Sequence, residues 1–127
     1  MIVLDTHAWI WLASSPAKLS KKARAACAAA GALLVPAIST WELAMLIAKG
    51  RLSLDRDVEI WIKQALALPR VRLEPLTPSI AVRATRLSDV PGDPADRLIA
   101  ATALEHGAPL VTRDESLRAC RSLKTVW

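Results

Sequence analysis

Three short, uninterrupted apolar runs constrain this chain most: Ile2-Val3-Leu4, Leu33-Leu34-Val35 and Leu110-Val111. A strand with one wet face alternates apolar and polar residues, whereas a strand covered on both faces does not. The runs therefore predict strands buried on both sides, and the segments between them carry helix signals. Ala8 to Leu12 is apolar all round and predicts the start of a buried helix. Ser20 is a good N-cap for a helix through Ala30, with Gly31 at the position where glycine closes helices. Ser39 opens a helix running to Lys49 and stopping at Gly50, and Asp55 to Leu68 repeats apolar residues at helical spacing through Val58, Trp61, Ile62, Ala65 and Leu66.

Val71, Leu73 and Leu76 alternate with polar residues or Pro75, which predicts an extended edge segment. Thr77-Pro78 and Asp93-Pro94 each pair an N-cap with proline at the first helical position, starting helices to about Leu87 and through Glu105, the latter ended by Gly107. Leu117 begins a short last helix, and Val126-Trp127 closes the chain as a final strand. Strand and helix alternate throughout, so the fold class is α/β: a three-layer α/β/α sandwich with a mostly parallel central sheet, formed as a single domain over residues 1–127.

Composition narrows the function. With 53% apolar and 23% charged residues the chain is globular and able to bury a core. Seventeen Lys and Arg against twelve Asp and Glu give +5, a balance that favours an anionic partner such as nucleic acid. Cys27 and Cys120 have no metal-site spacing and build no disulfide framework, which points to a reducing cytoplasm. Asp5 and His7 interrupt the apolar N-terminal stretch, so it reads as neither signal peptide nor membrane span.

The acids are placed unevenly. Ligands of open parallel sheets sit beyond the carboxyl ends of the strands. Asp5 directly follows the first strand, Glu42 falls in the first turn after the second, Asp114 comes three residues beyond Val111, and Asp96 lies in the turn opened by Asp93-Pro94. Two unit charges ~4 Å apart repel by ~4 kcal/mol at an effective dielectric of about 20, so the cluster calls for protonation or a cation. Oxygen donors without a His or Cys cluster favour Mg²⁺ or Mn²⁺ over Zn²⁺. A hard cation in an acidic hole on a basic protein suits phosphodiester hydrolysis. Each acid also has a structural reading: Ser39-Thr40-Trp41-Glu42 fits a capping box, Asp93 and Asp96 suit a helix N-terminus, and Asp114 suits a cap. Asp5, an acid directly after three apolar residues, requires a partner. His7 and His106 read as packing or surface residues. Of Trp9, Trp11, Trp41, Trp61 and Trp127, most read as core or a dimer patch rather than a base-stacking platform.

Four segments in series now carry a family likeness: Asp5-Thr6-His7, Ile38-Ser39-Thr40-Trp41-Glu42-Leu43, Gly92-Asp93-Pro94-Ala95-Asp96-Arg97-Leu98-Ile99-Ala100-Ala101-Thr102-Ala103 and Val111-Thr112-Arg113-Asp114. In order and spacing, over essentially the whole chain, they resemble PIN-domain ribonucleases, most closely the toxins of VapBC toxin–antitoxin systems. The resemblance implies that Asp5, Glu42, Asp96 and Asp114 form the catalytic, metal-holding quartet. Asp93 is then an auxiliary acid or cap, and Ser39 and Thr112 are assisting hydroxyls. It also implies Mg²⁺- or Mn²⁺-dependent cleavage of RNA, a homodimer, and inhibition by a VapB-like antitoxin whose C-terminal segment wraps the toxin. Arg97 and Arg113, beside these acids, are candidates to hold the RNA backbone, with solvated surface arginines as the alternative. The faces around Trp9-Ile10-Trp11 and from Trp41, Leu43 and Met45 to Leu52 are candidates for antitoxin contact.

Other classes fit less well. A haloacid-dehalogenase-type phosphatase needs a second Asp where His7 stands, and four glycines supply no G-x-G-x-x-G or Walker A cradle. The non-enzymatic alternative is an interaction domain whose acidic hole binds a partner's arginine.

Overall fold

The computed structural model describes residues 1–127. Five parallel strands form one sheet: β1 (Ile2–Leu4), β2 (Leu33–Pro36), β3 (Val71–Glu74), β4 (Leu110–Val111) and β5 (Thr125–Val126), ordered β3-β2-β1-β4-β5. Val3 pairs with Leu34 on one side and Leu110 on the other, so β1 is the central strand. The chain builds outward from β1 through β2 to β3, then returns to build β4 and β5 on the opposite side. The sheet therefore reverses direction of growth at β1, where an open α/β sheet leaves a crevice at its carboxyl end.

The apolar runs are buried on both faces, as their lack of alternation requires. Ile2, Leu4, Leu33, Val35 and Val111 face one core, with Trp9, Leu43 and Trp61. Val3, Leu34 and Leu110 face another, with Ile99, Ala100, Ala103 and Leu117. Helices α1 (Thr6–Ser14), α2 (Lys21–Ala29) and α4 (Val58–Leu66) cover the first side, and α6 (Pro94–Glu105) and α7 (Glu115–Arg118) the second. Helix α3 (Ala37–Ala48) follows β2, and α5 (Pro78–Thr85) packs on α6 through Ile80, Ala84 and Ala101. The three-layer α/β/α fold stands. No helix is long and apolar enough to cross a membrane.

Several boundaries moved for identifiable reasons. Helix α1 begins at Thr6, because the Asp5 carboxylate already caps it through the Thr6 N–H at 2.8 Å. Helix α3 begins at Ala37 directly after Pro36, which places Ser39 inside the first turn rather than at the cap. Gly31 does not adopt the left-handed conformation; only Gly50 (φ 68°) and Gly107 (φ 58°) do among the glycines. The carbonyls at the end of α2 are taken instead by the Arg70 guanidinium, which donates to Cys27 and Ala30 from a backbone at φ 66°. Helix α4 starts at Val58 rather than Asp55 because Asp57 caps it, and α7 starts at Glu115, two residues before Leu117, because Asp114 caps it. Thr77 and Asp93 cap α5 and α6 as their proline signals predict.

Trp9 is 1% exposed and meets Trp61 edge-on at 5.3 Å, yet its indole N–H has no partner. Removing the whole ring should cost about 3–5 kcal/mol. Trp9→Phe removes the orphan donor along with part of the ring, so its loss should be clearly smaller. Denaturant melts of Trp9→Ala and Trp9→Phe check this ranking; a loss in Trp9→Phe as large as that in Trp9→Ala would overturn it.

Candidate active site

The carboxyl ends of β1 and β4 and the first turn of α6 surround a cleft of about 490 Å³. It is lined by Asp5, Glu42, Asp93, Asp96 and Asp114, together with His7, Trp11 and Arg113. The structure thus brings together all four members of the expected quartet and the auxiliary Asp93.

Asp5 is held hardest. It is 8% exposed, its backbone N–H donates to the Val111 carbonyl, and its second carboxylate oxygen accepts from the Thr112 hydroxyl at 2.6 Å. The same Thr112 oxygen accepts the Asp114 N–H at 3.1 Å, so one hydroxyl couples the two acids across the seam between β1 and β4. Asp114 uses one oxygen to cap α7 through the Leu117 N–H at 3.0 Å, leaving its other oxygen free of the cap.

Glu42 is not part of a capping box. Helix α3 has no side-chain cap bond, and Ser39 and Glu42, three residues apart on one helical face, both reach Thr6. Ser39 Oγ lies 2.9 Å from Thr6 Oγ1, which also hydrogen-bonds Glu42 Oε1. A hydroxyl carries one proton and an ionised carboxylate only accepts, so Thr6 donates to Glu42 and accepts from Ser39. Thr6, inside the Asp5-Thr6-His7 motif, is a site residue that the acid pattern alone does not single out. Its signal is that a fully buried polar residue beside an acid must satisfy its hydroxyl.

Asp93 is exposed and accepts the Asp96 N–H at 3.1 Å, the N-cap its place before Pro94 predicts. Asp96 lies half-buried in the same turn and accepts no hydrogen bond from the protein. Burial and then the charges of Asp93, Asp5, Asp114 and Glu42 push its carboxyl up to about 7. Burial also raises Asp5 against the hydrogen bonds from Thr112 and Thr6, and raises Glu42 against the bond from Thr6. All three shifts say that negative charge here is under-compensated.

The donor set fits a hard divalent cation in kind: oxygen only, anionic, and paired with no Lys or Arg of this chain. As they stand, no three of the side chains are close enough to share one ion. Asp96, unbonded, and the uncapped oxygen of Asp114 are the groups free to turn inward.

Arg97 is not available to RNA. Its guanidinium donates to the carbonyls of Ala84 (3.0 Å), Leu87 (2.7 Å) and Val90 (2.9 Å), tying the segment after α5 to α6. Arg113 is exposed and lines the cleft, a position compatible with a backbone contact and with a solvated surface arginine alike. Trp9, Ile10 and Leu43 are buried to 4% exposure or less and so offer no surface to an antitoxin, whereas Trp11 is half-buried and Trp41 exposed. His106 lies away from the cleft, its Nε2 3.1 Å from Glu74.

An α/β sheet with a carboxylate-lined crevice at its switch point defines the class, and residues 2–122 match the PIN domain. The chain belongs to the PIN-domain family, in its VapC branch. It is 45% identical over 129 residues to Ribonuclease VapC22 of Mycobacterium tuberculosis (strain ATCC 25618 / H37Rv), covering 99% of this chain and 98% of that protein. Among solved structures, VapBC2 from Rickettsia felis bound to a promoter DNA fragment shares the fold at TM-score 0.72 and 16% identity, covering 98% of this chain and 97% of that one. A toxin–antitoxin complex from Klebsiella pneumoniae does so at TM-score 0.67 and 22% identity, covering 97% and 95%.

Two expectations follow. Arg97→Lys, with a point-like ammonium in place of a planar fork, should lose about 2–4 kcal/mol in chemical denaturation, because it cannot serve three carbonyls at once. Wild-type stability in Arg97→Lys would show that these bonds are incidental. The second expectation concerns pH. A carboxyl raised in the folded state binds more protons there than in the unfolded chain, so stability falls as pH rises between the two values. Without divalent ions, the melting temperature should drop from about pH 4 to about pH 7, and Asp96→Asn should flatten the slope. A parallel slope in Asp96→Asn would assign the effect to other groups.

Proposed function

We propose that this chain is a Mg²⁺- or Mn²⁺-dependent endoribonuclease acting as the toxin of a VapBC-type toxin–antitoxin pair. The observation that carries this is the under-compensated five-carboxylate cleft at the sheet's switch point, in a chain 45% identical to a protein named as a ribonuclease. Asp5, Asp96 and Asp114 are the residues that would hold metal. Bound there, Mg²⁺ supplies an acidified water and stabilises charge on the phosphoryl oxygens. Thr112 orients the Asp5 carboxylate and, by accepting the Asp114 N–H, holds the backbone that carries the Asp114 side chain beside it. Thr6, backed by Ser39, fixes Glu42 by one oxygen and leaves the other to orient the attacking water. Asp93 caps α6 and adds charge beside Asp96.

The same carboxylates form a receptor for a guanidinium, which pairs bidentately with a carboxylate, and this supports a VapB-like antitoxin as the inhibiting partner. The Klebsiella pneumoniae complex of the same fold contains both toxin and antitoxin. A homodimer has a surface available where Trp41 (56% exposed), Ile60 (51%) and Leu73 (47%) line one apolar cleft.

Asp5→Asn removes the charge and leaves one acceptor oxygen where Asp5 uses two, so either the Thr6 N–H cap or the bond from the Thr112 hydroxyl is retained. The substitution should leave the fold intact and cut Mg²⁺-dependent RNA cleavage by more than about a hundredfold, beyond what losing an outer-shell partner costs. Asp96→Asn should do the same, while Asp93→Ser, which preserves a cap, should stay within about tenfold of wild type. Cleavage assays with and without Mg²⁺ read these values. Full activity in Asp5→Asn would sink the Asp5 assignment, absence of Mg²⁺-dependent cleavage by wild type would leave the silent interaction domain as the better reading, and the reverse ranking of Asp93 and Asp96 would reassign the third acid.

A further inference from the structure

An RNA strand entering the cleft brings phosphates toward five carboxylates, so something other than the acids must hold it. The remaining lining is His7, Trp11 and Arg113. Arg113 directly precedes Asp114, yet it pairs with no carboxylate; the ion pairs of the chain are Arg56–Asp55, Arg83–Glu105 and His106–Glu74. Its guanidinium lies over the Trp11 ring, 5.7 Å from the centroid. A stacked guanidinium keeps its in-plane N–H donors free for a phosphate.

Trp11 is itself one of a tier of rings. His7 stands 5.7 Å away at 56°, and Trp127 stands 5.9 Å away at 51°. His7 and Trp11 are four residues apart on α1, so they share the helical face that looks into the cleft. Trp11 also lines a second cleft of about 530 Å³. The cations there are Lys18 and Arg56; Arg56 is tied to Asp55 and Gln64, whereas Lys18 is unpaired. Trp11 is therefore the ridge between an anionic hole and a groove carrying a free ammonium.

We propose that His7, Trp11 and Arg113 form the binding shelf for the nucleotide next to the scissile phosphate of a single-stranded RNA. The base stacks on the Trp11 ring with His7 against its edge, its phosphate pairs with Arg113, and the strand continues toward Lys18. Stacking accepts any base, so the shelf sets position more than sequence. The inference rests on the ribonuclease reading for its substrate, and these three are positioning residues.

The test is fluorescence anisotropy with three labelled chains of equal length: oligoadenylate, oligouridylate and an abasic ribose-phosphate chain, with Ca²⁺ replacing Mg²⁺. Wild type should bind oligoadenylate about tenfold tighter than the abasic chain, with oligouridylate between them. Trp11→Leu should bring oligoadenylate down to the abasic level without changing abasic binding, and Trp11→Phe should keep most of the discrimination. Arg113→Gln should weaken all three alike and lower the salt slope by about one. Equal wild-type affinity for the oligoadenylate and abasic chains would overturn the shelf, as would equal weakening of both by Trp11→Leu. Mg²⁺-dependent cleavage by wild type, measured alongside, separates the two readings. Cleavage without base discrimination sinks the shelf alone; discrimination without cleavage sinks the ribonuclease reading alone.

Discussion

The hydrogen bond from Thr112 to Asp5 is the constraint around which the molecule is arranged. It spans the two strands that meet where the sheet changes direction, and it lets an acid survive in a place that is almost dry. A lone carboxylate there would be expelled or permanently neutral. With Thr112 on one oxygen and the Thr6 amide on the other, Asp5 is fixed in direction although burial still raises its pKa. The other acids are then gathered around it by helix ends: Asp93 and Asp114 each cap the helix beside them, and Asp96 follows in the first turn.

Capping and catalysis are often weighed as rival explanations for an acid at a helix start. Here they are compatible, because a cap uses one carboxylate oxygen. Asp114 gives one oxygen to the Leu117 N–H and keeps the other, and its position is better defined for being a cap. The same logic explains why a protein of net charge +5 tolerates so concentrated an acidic hole: the helix N-termini present partial positive charge to the acids.

Much of this was legible in the residues. The unbroken apolar runs gave away the parallel sheet, since only strands covered on both faces forgo alternation. Thr77-Pro78 and Asp93-Pro94 marked two helix starts to the residue. The acids were assembled by the rule that ligands gather at strand carboxyl ends. What escaped depends on contacts between distant segments. Arg70 replaces Gly31 at the end of α2 from 40 residues away, as its bond to Ala30 shows. Arg97 looks like a surface cation beside an acid, and only the path of the 84–91 segment reveals it as a carbonyl clamp. Ser39 fitted a capping box because spacing cannot register that Pro36 already ends the strand and lets α3 begin earlier.

The chain of oxygens from Ser39 through Thr6 to Glu42 has one further consequence. Each hydroxyl holds a single proton, so the row has a polarity, and with Glu42 ionised every O–H arrow points toward the cleft. A proton arriving on Glu42 removes the reason for that direction. The carboxyl can then donate to Thr6, and Thr6 to Ser39, turning both arrows inward without moving a heavy atom. Ser39 is fully buried, so the charge state of a half-buried carboxyl in the cleft is written into the interior as the orientation of two hydroxyls.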